Sequence, residues 1–139
     1  MDPVILRADS PAIEAAALYI GLNLIILLVL AVRVSMKRQK SQVSLGDGGD
    51  GALMRLIRVH GNATEWVPAA LVGLLVVAML NAPLIAIHVV GAALTVARIL
   101  HAWGMGSGEG PTIGRVAGSA LTMLVYLALA AGLIGHALV

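Results

Sequence analysis

Four long apolar stretches separated by short polar ones make up most of this chain. Each has at least the roughly 20 residues that a helix needs to cross the hydrocarbon core of a bilayer. The apolar residues run on without the alternation of a barrel strand, and helices satisfy their own backbone hydrogen bonds in lipid. The pattern therefore predicts an all-α fold, an integral membrane four-helix bundle in a single domain (residues 1–139). We expect its helices at about residues 12–33, 52–80, 83–104 and 113–138.

Residues that favour helix ends separate the predicted helices. Asp9 or Ser10, followed by Pro11, is a suitable start for the first helix. A polar loop over residues 34–51 follows that helix. The tripeptide at residues 81–83, Asn-Ala-Pro, is a tight break, so the second and third helices form an antiparallel hairpin.

Composition agrees with a membrane protein and excludes several functions. Hydrophobic residues make up 60% of the chain and charged residues 12%, whereas about 25% charged is usual for soluble domains. The formal net charge of +2 is too small to suggest a nucleic acid partner. Cysteine is absent, so the chain has no thiolate metal site and no thiol nucleophile. We predict no metal site.

The distribution of positive charge predicts the orientation. Lys37, Arg38 and Lys40 lie in the first loop and Arg33 just before it, whereas the turn at 81–83 has no basic residue. The positive-inside rule therefore places the first and third loops in the cytoplasm and both termini outside.

Polar residues share one face of the second predicted helix. At about 100° per residue, they fall within roughly 100° of arc. The residues are Arg55, Arg58, Asn62, Glu65 and Trp66.

Further basic residues lie at the same membrane surface as the start of the second helix, because the four helices alternate in direction. Arg98 and His101 share a face late in the third helix, Arg33 ends the first and Arg115 begins the fourth. Glu65 is the one acid predicted inside the membrane. This arrangement predicts a cationic cavity for an anionic partner, since arginine binds carboxylates through paired hydrogen bonds.

Structural interpretations of these residues stay open. Glu65 and Arg98 could fasten two helices, and Arg33 and Arg55 could reach lipid phosphates. Gly114 and Gly118 form a small-xxx-small motif, for which packing inside one bundle is favoured over packing between subunits.

The polar residues of the second helix also match a known signature. The pattern Arg55-x-x-Arg58-x-His60-x-Asn62-x-x-Glu65-Trp66-x-Pro68 resembles that of the MAPEG family, membrane-associated proteins in eicosanoid and glutathione metabolism. The resemblance covers the whole chain and is greatest to small bacterial members. It implies a homotrimer in the bacterial inner membrane, with glutathione as co-substrate in a cleft between subunits that opens to the cytosol.

The resemblance also implies roles for individual residues. Arg58 would bind a carboxylate of glutathione, and Asn62 and Glu65 its backbone and γ-glutamyl end. Arg115 would be the catalytic residue that stabilises the thiolate. Three further arginines match positions in the glutathione cleft of family members: Arg33, Arg55 and Arg98. His101 occupies a position where several members carry tyrosine.

These residues lead to two functional hypotheses. The first is a glutathione-dependent transferase or peroxidase. Its substrates are electrophiles, lipophilic small molecules that arrive from the lipid bilayer. The second is a non-catalytic trimeric scaffold or accessory subunit of a larger membrane complex. A transporter has less support, because we detect neither repeated halves nor helices broken near the midplane.

Overall fold

The computed structural model describes residues 10–107 and 110–139, which form four α-helices. Each helix is long and apolar enough to cross a membrane, judged by length and composition. The predicted all-α membrane bundle is confirmed, and three of the helices match their predicted bounds to within two residues. The helices are α1 (Pro11–Ser41), α2 (Gly51–Met79), α3 (Leu84–Gly106) and α4 (Ile113–Ala137).

Helix α1 is longer than predicted, and the loop predicted over residues 34–51 covers only residues 42–50. Hydropathy marks where lipid ends, not where a helix ends. Residues 34–41 contain no glycine or proline, and most of them are good helix formers. With 31 residues, α1 is about 46 Å long, against about 30 Å for a hydrocarbon core. Its last turns therefore extend beyond the lipid.

The starts of α1 and α2 are capped differently. Ser10 occupies the N-cap position of α1 without a side-chain capping bond, and Pro11 fills the first helical position. Asp9, the other predicted start, lies outside the described residues. At α2, the Asp50 carboxylate accepts hydrogen bonds from the backbone N–H groups of Ala52 at 2.9 Å and Leu53 at 3.1 Å. Asp50 thus satisfies two donors that the helix itself leaves open.

Asp50 also ties α2 to the end of α1. Its carboxylate lies 2.7 Å from the ammonium of Lys37 and accepts a hydrogen bond of 2.7 Å from the Ser41 hydroxyl. The bonds from Lys37 and Ser41 hold the pKa of Asp50 below its ordinary value. The loop between the helices is therefore closed by a charged contact.

A turn of four residues, 80–83, joins α2 to α3, as the predicted break requires. Asn81 has a φ of 60°, the left-handed conformation that ends a helix. The helices alternate in direction, so the end of α1, the start of α2, the end of α3 and the start of α4 meet at one end of the bundle. We name it the basic end, because Lys37, Arg38 and Lys40 lie there.

Helices α2 and α3 form the centre of the bundle. Each contacts the other three helices, whereas no Cα atom of α1 lies within 8 Å of one in α4 among the described residues. Apolar side chains from all four helices fill the middle of the bundle and the half away from the basic end. They include Val67, Leu74, Ile87, Leu94 and Leu129.

Glycines bring α3 and α4 into close contact near the basic end. A Cβ atom placed on Gly118 would lie 2.6 Å from the carbonyl oxygen of Ala97 and 2.6 Å from the backbone nitrogen of His101. Gly104 and Gly114 approach each other in the same way. The small-xxx-small motif therefore packs inside one bundle, which is the favoured interpretation.

We expect Gly118→Ala to destabilise the protein, because its Cβ has no room against the backbone of α3. Overpacking of this kind costs roughly 1–3 kcal/mol, and the midpoint of thermal unfolding in detergent should fall. Gly132→Ala on the same helix is the matched control, since its Cβ would meet only a Val77 methyl at 3.7 Å. Equal midpoints for both variants would contradict this α3–α4 packing.

Replacing Asp50 should lower stability in two steps. Asp50→Asn keeps a capping side chain but loses the charge beside Lys37, and Asp50→Ala loses both. The thermal midpoint at pH 7 should therefore fall from wild type to Asn to Ala. Because the pKa of Asp50 is lower in the folded state, the advantage of wild type over Asp50→Asn exists above about pH 4 and disappears as the pH falls. A difference in thermal midpoint between wild type and Asp50→Asn that does not change with pH would argue against the ion pair.

Candidate functional site

A buried arginine lies between α2 and α4. Arg98 on α3 is 2% exposed, and its Nη2 donates a hydrogen bond of 2.8 Å to Oδ1 of Asn62 on α2. Its Nε is buried without a hydrogen-bond partner among the described residues. A buried charge costs several kcal/mol unless it is paired and hydrogen-bonded. The amide of Asn62 is neutral, so the guanidinium keeps a net charge without a counter-ion in the described part of the chain.

A cavity of about 90 Å³ lies beside this arginine, between α2, α3 and α4. Its volume holds a few water molecules but not a peptide. Polar and apolar side chains share the wall: Asn62, Trp66, Arg98, Ser119, Thr122 and Met123.

An aromatic pair fixes one wall of the cavity. The rings of Trp66 and Tyr126 meet edge to face, with centroids 5.2 Å apart and planes at 75°. The Tyr126 hydroxyl donates a hydrogen bond to the backbone carbonyl of Trp66. This contact joins α2 to α4 beside the cavity that Trp66 and Arg98 both line.

Helix α4 contributes polar residues that the sequence prediction missed. Arg115 was predicted there, but Ser119, Thr122 and Tyr126 were not. The signal was present, because these four residues follow one another at intervals of four, three and four, which is one helical face. Hydroxyl groups are common in membrane helices as partners of the backbone, so their spacing alone does not indicate a cavity.

The polar face predicted on α2 divides between two environments. Asn62 and Trp66 line the cavity, whereas Arg58 and Glu65 are exposed on the outside of the chain. No ion pair between described residues includes Arg58 or Glu65. An arc of roughly 100° is wide enough to straddle the edge of a helix contact. The interpretation that Glu65 pairs with Arg98 is wrong for this chain, because Arg98 bonds Asn62 instead.

Arg115 lies in the first turn of α4 and is half-buried. It lines a more open groove of about 470 Å³. Ser119 and Met123 line both this groove and the cavity beside Arg98. The structure therefore brings Arg115 and Arg98 to neighbouring spaces on either side of the same two side chains.

The other predicted site residues lie apart from the cavity. Arg33 on α1 is exposed, and Arg55 on α2 is half-buried. His101 is 3% exposed and packs against Gly118, with its Nδ1 unpartnered among the described residues. Within residues 10–107 and 110–139, no group of three or more His, Cys, Asp or Glu side chains could hold a metal ion.

Comparison with known proteins decides the family. The sequence model of the MAPEG family matches residues 16–135. The chain belongs to the MAPEG family. The match includes most of α1 and α4 and all of α2 and α3. All eight residues predicted for the site of this MAPEG protein lie inside it: Arg33, Arg55, Arg58, Asn62, Glu65, Arg98, His101 and Arg115.

Curated relatives of this MAPEG protein are also membrane proteins. The inner membrane protein YecN of Escherichia coli strain K12 is 36% identical over 89 residues, which cover 64% of this chain and 68% of YecN. YecN of Escherichia coli O6:H1 matches to the same extent. No solved structure matches this MAPEG chain.

Proposed function

We propose that this MAPEG protein is a membrane-bound glutathione-dependent transferase or peroxidase that acts on lipophilic electrophiles. We place it in the bacterial inner membrane, where the name of its relative YecN places that protein. The basic end faces the cytoplasm and both termini lie outside, in agreement with the positive-inside rule.

The exposure of Arg58 and Glu65 on a membrane-spanning helix carries this proposal. A charged side chain at the bilayer centre costs about 2.5–3.5 kcal/mol, so these residues need polar partners from outside the chain. They are seven positions apart, hence about 10 Å apart along the helix axis. An extended tripeptide has a similar length.

Glutathione fits this pair by its charges. It carries two carboxylates and one ammonium group, so Arg58 binds a carboxylate while Glu65 holds the ammonium of the γ-glutamyl end. A homotrimer would place the surface of a neighbouring subunit against this face of α2 and remove both charges from lipid. The remaining proposed glutathione-binding residues are Arg33, Arg55, Asn62, Arg98 and His101.

Arg115 is the proposed catalytic residue because of its position on the open groove. The chain has no cysteine, so the reacting sulfur comes from glutathione. A guanidinium beside the sulfur favours the thiolate over the thiol. The thiolate attacks the electrophilic carbon, a C–S bond forms, and the leaving group departs with its electron pair. The apolar side chains of Val116, Ala120 and Met123 on the same groove suit a lipophilic substrate.

Arg58→Ala should weaken glutathione binding. A hydrogen bond to a charged group contributes about 1.5–3 kcal/mol, so we expect the dissociation constant to rise by roughly 10- to 150-fold. Calorimetry on the protein purified in detergent measures this change. Arg38→Ala is the matched control, because that arginine bonds the Gly46 carbonyl at the first loop. A wild-type protein without measurable glutathione affinity would exclude the proposed enzyme.

Arg115→Ala should slow the conjugation of an aromatic electrophile at pH 7 by roughly 20-fold or more. A thiol with a pKa near 8.5 is mostly protonated at that pH, and lowering the pKa by two units makes it mostly ionised. The rate of the variant should therefore rise with pH up to about 8.5, while the wild-type rate levels off at a lower pH. Arg115→Lys keeps the charge and is the control. Identical pH profiles for wild type and Arg115→Ala would remove Arg115 from the chemical step.

A non-catalytic scaffold is the second candidate, and the same exposure of Arg58 and Glu65 favours it. Polar contacts between subunits would cover these side chains equally well. In that case Arg58→Ala and Glu65→Ala should dissociate the oligomer in detergent, measured as its mass by light scattering. An intact oligomer that loses only glutathione affinity would favour the enzyme.

A further inference from the structure

We propose that the cavity beside Arg98 binds one small monovalent anion, of the size of a halide ion or a single carboxylate group. This site lies within one chain, between α2, α3 and α4. It shares Asn62 and Arg98 with the proposed glutathione-binding residues, but the binding of a small anion there does not require glutathione.

The charge balance of the cavity requires an anion. Arg98 is 2% exposed, and among the described residues its one hydrogen-bond partner is the neutral amide of Asn62. Within residues 10–107 and 110–139, no aspartate or glutamate lines the cavity. Burying a guanidinium in an apolar bundle without a counter-charge costs free energy. One bound monovalent anion neutralises it.

The chemistry of the wall also suits an anion. The Arg98 side chain lines the cavity, although its buried Nε, which has no acceptor among the described residues, is not itself exposed to that space. Asn62 uses its oxygen to bind Arg98, so its amide nitrogen remains as a donor. Ser119 adds a hydroxyl, whereas the Thr122 hydroxyl already donates to the carbonyl of Gly118 at 2.8 Å. The wall therefore places donors from Asn62 and Ser119 beside a positive charge, which suits an anion and repels a cation.

The size of the cavity limits the ligand. About 90 Å³ accommodates a halide ion or a carboxylate group, whereas a phosphate diester or a tripeptide could not lie wholly within it. Trp66 and Met123 supply apolar walls that reduce competition from water. The guanidinium carries one positive charge, which matches a monovalent anion.

Anion-dependent thermal stability tests this site. Wild-type protein, purified in detergent with sodium camphorsulfonate, is titrated with sodium chloride or sodium formate at constant ionic strength. Camphorsulfonate is the reference anion, because its sulfonate is larger than a carboxylate and is attached to a bulky ring system. We expect the unfolding midpoint to rise in a saturable way, by about 5 °C, with either small anion. Equal midpoints in camphorsulfonate, chloride and formate would overturn the proposal.

Three variants locate the effect. Arg98→Gln removes the positive charge and should abolish the dependence on chloride. Ser119→Leu fills the cavity while keeping Arg98, so it should abolish the dependence even if Arg98→Gln does not fold. Arg38→Gln removes one arginine charge at the first loop and should retain the full effect. A chloride dependence that survives Ser119→Leu would overturn the cavity as its site.

Glutathione distinguishes the two sources of such an anion. If the chloride effect disappears at saturating glutathione, a carboxylate of that ligand fills the cavity; if the effect persists, the occupant is a free inorganic ion. Either result supports the site. Loss of glutathione binding with an intact chloride effect rejects the proposed enzyme alone.

Discussion

The bond between Arg98 and Asn62 is the interaction on which the arrangement of the polar half of this bundle depends. Lipid offers no hydrogen bonds, so a guanidinium at this depth must find its partners on neighbouring helices. Asn62 on α2 supplies one acceptor at 2.8 Å. This bond holds the two central helices at a fixed register, and the cavity beside it is the space enclosed between these helices and α4. The same bond therefore determines how α2 packs against α3 and where the guanidinium lies beside the cavity.

The close approach of α3 and α4 links packing to the site. Gly118 lets the α4 backbone lie against Ala97 and His101. Gly104 and Gly114 do the same beside Arg115. A larger residue at these positions would push the Arg115 turn away from the cavity wall. The same contact buries His101 between the two helices, which explains why that histidine does not line the cavity.

Helix α1 is attached by bonds at both ends. In the half of α1 away from the basic end, the Tyr19 hydroxyl lies 3.0 Å from Nδ1 of His88, and the Asn23 amide donates to the Thr95 hydroxyl at 3.0 Å. At the basic end, the contact of Asp50 with Lys37 fastens the loop. Because α1 does not reach α4 among the described residues, the exposed side chains of α2 remain accessible on the outside of the chain.

Hydropathy and charge, which are local properties of the chain, were enough to predict four spans, the break before Pro83 and the gathering of arginines at one end. The spacing of Gly114 and Gly118 was enough to predict a close helix contact. The end of α1 at Ser41 could not be predicted in this way, because a helix can continue in water after its apolar residues end. Nor could the separation of Asn62, which faces inward, from Arg58 and Glu65, which face outward. Side chains within one arc of a helix turn to different neighbours, and the position of α3 and α4 around α2 determines which of them is buried. The cavity and its α4 residues exist only once three helices have packed together.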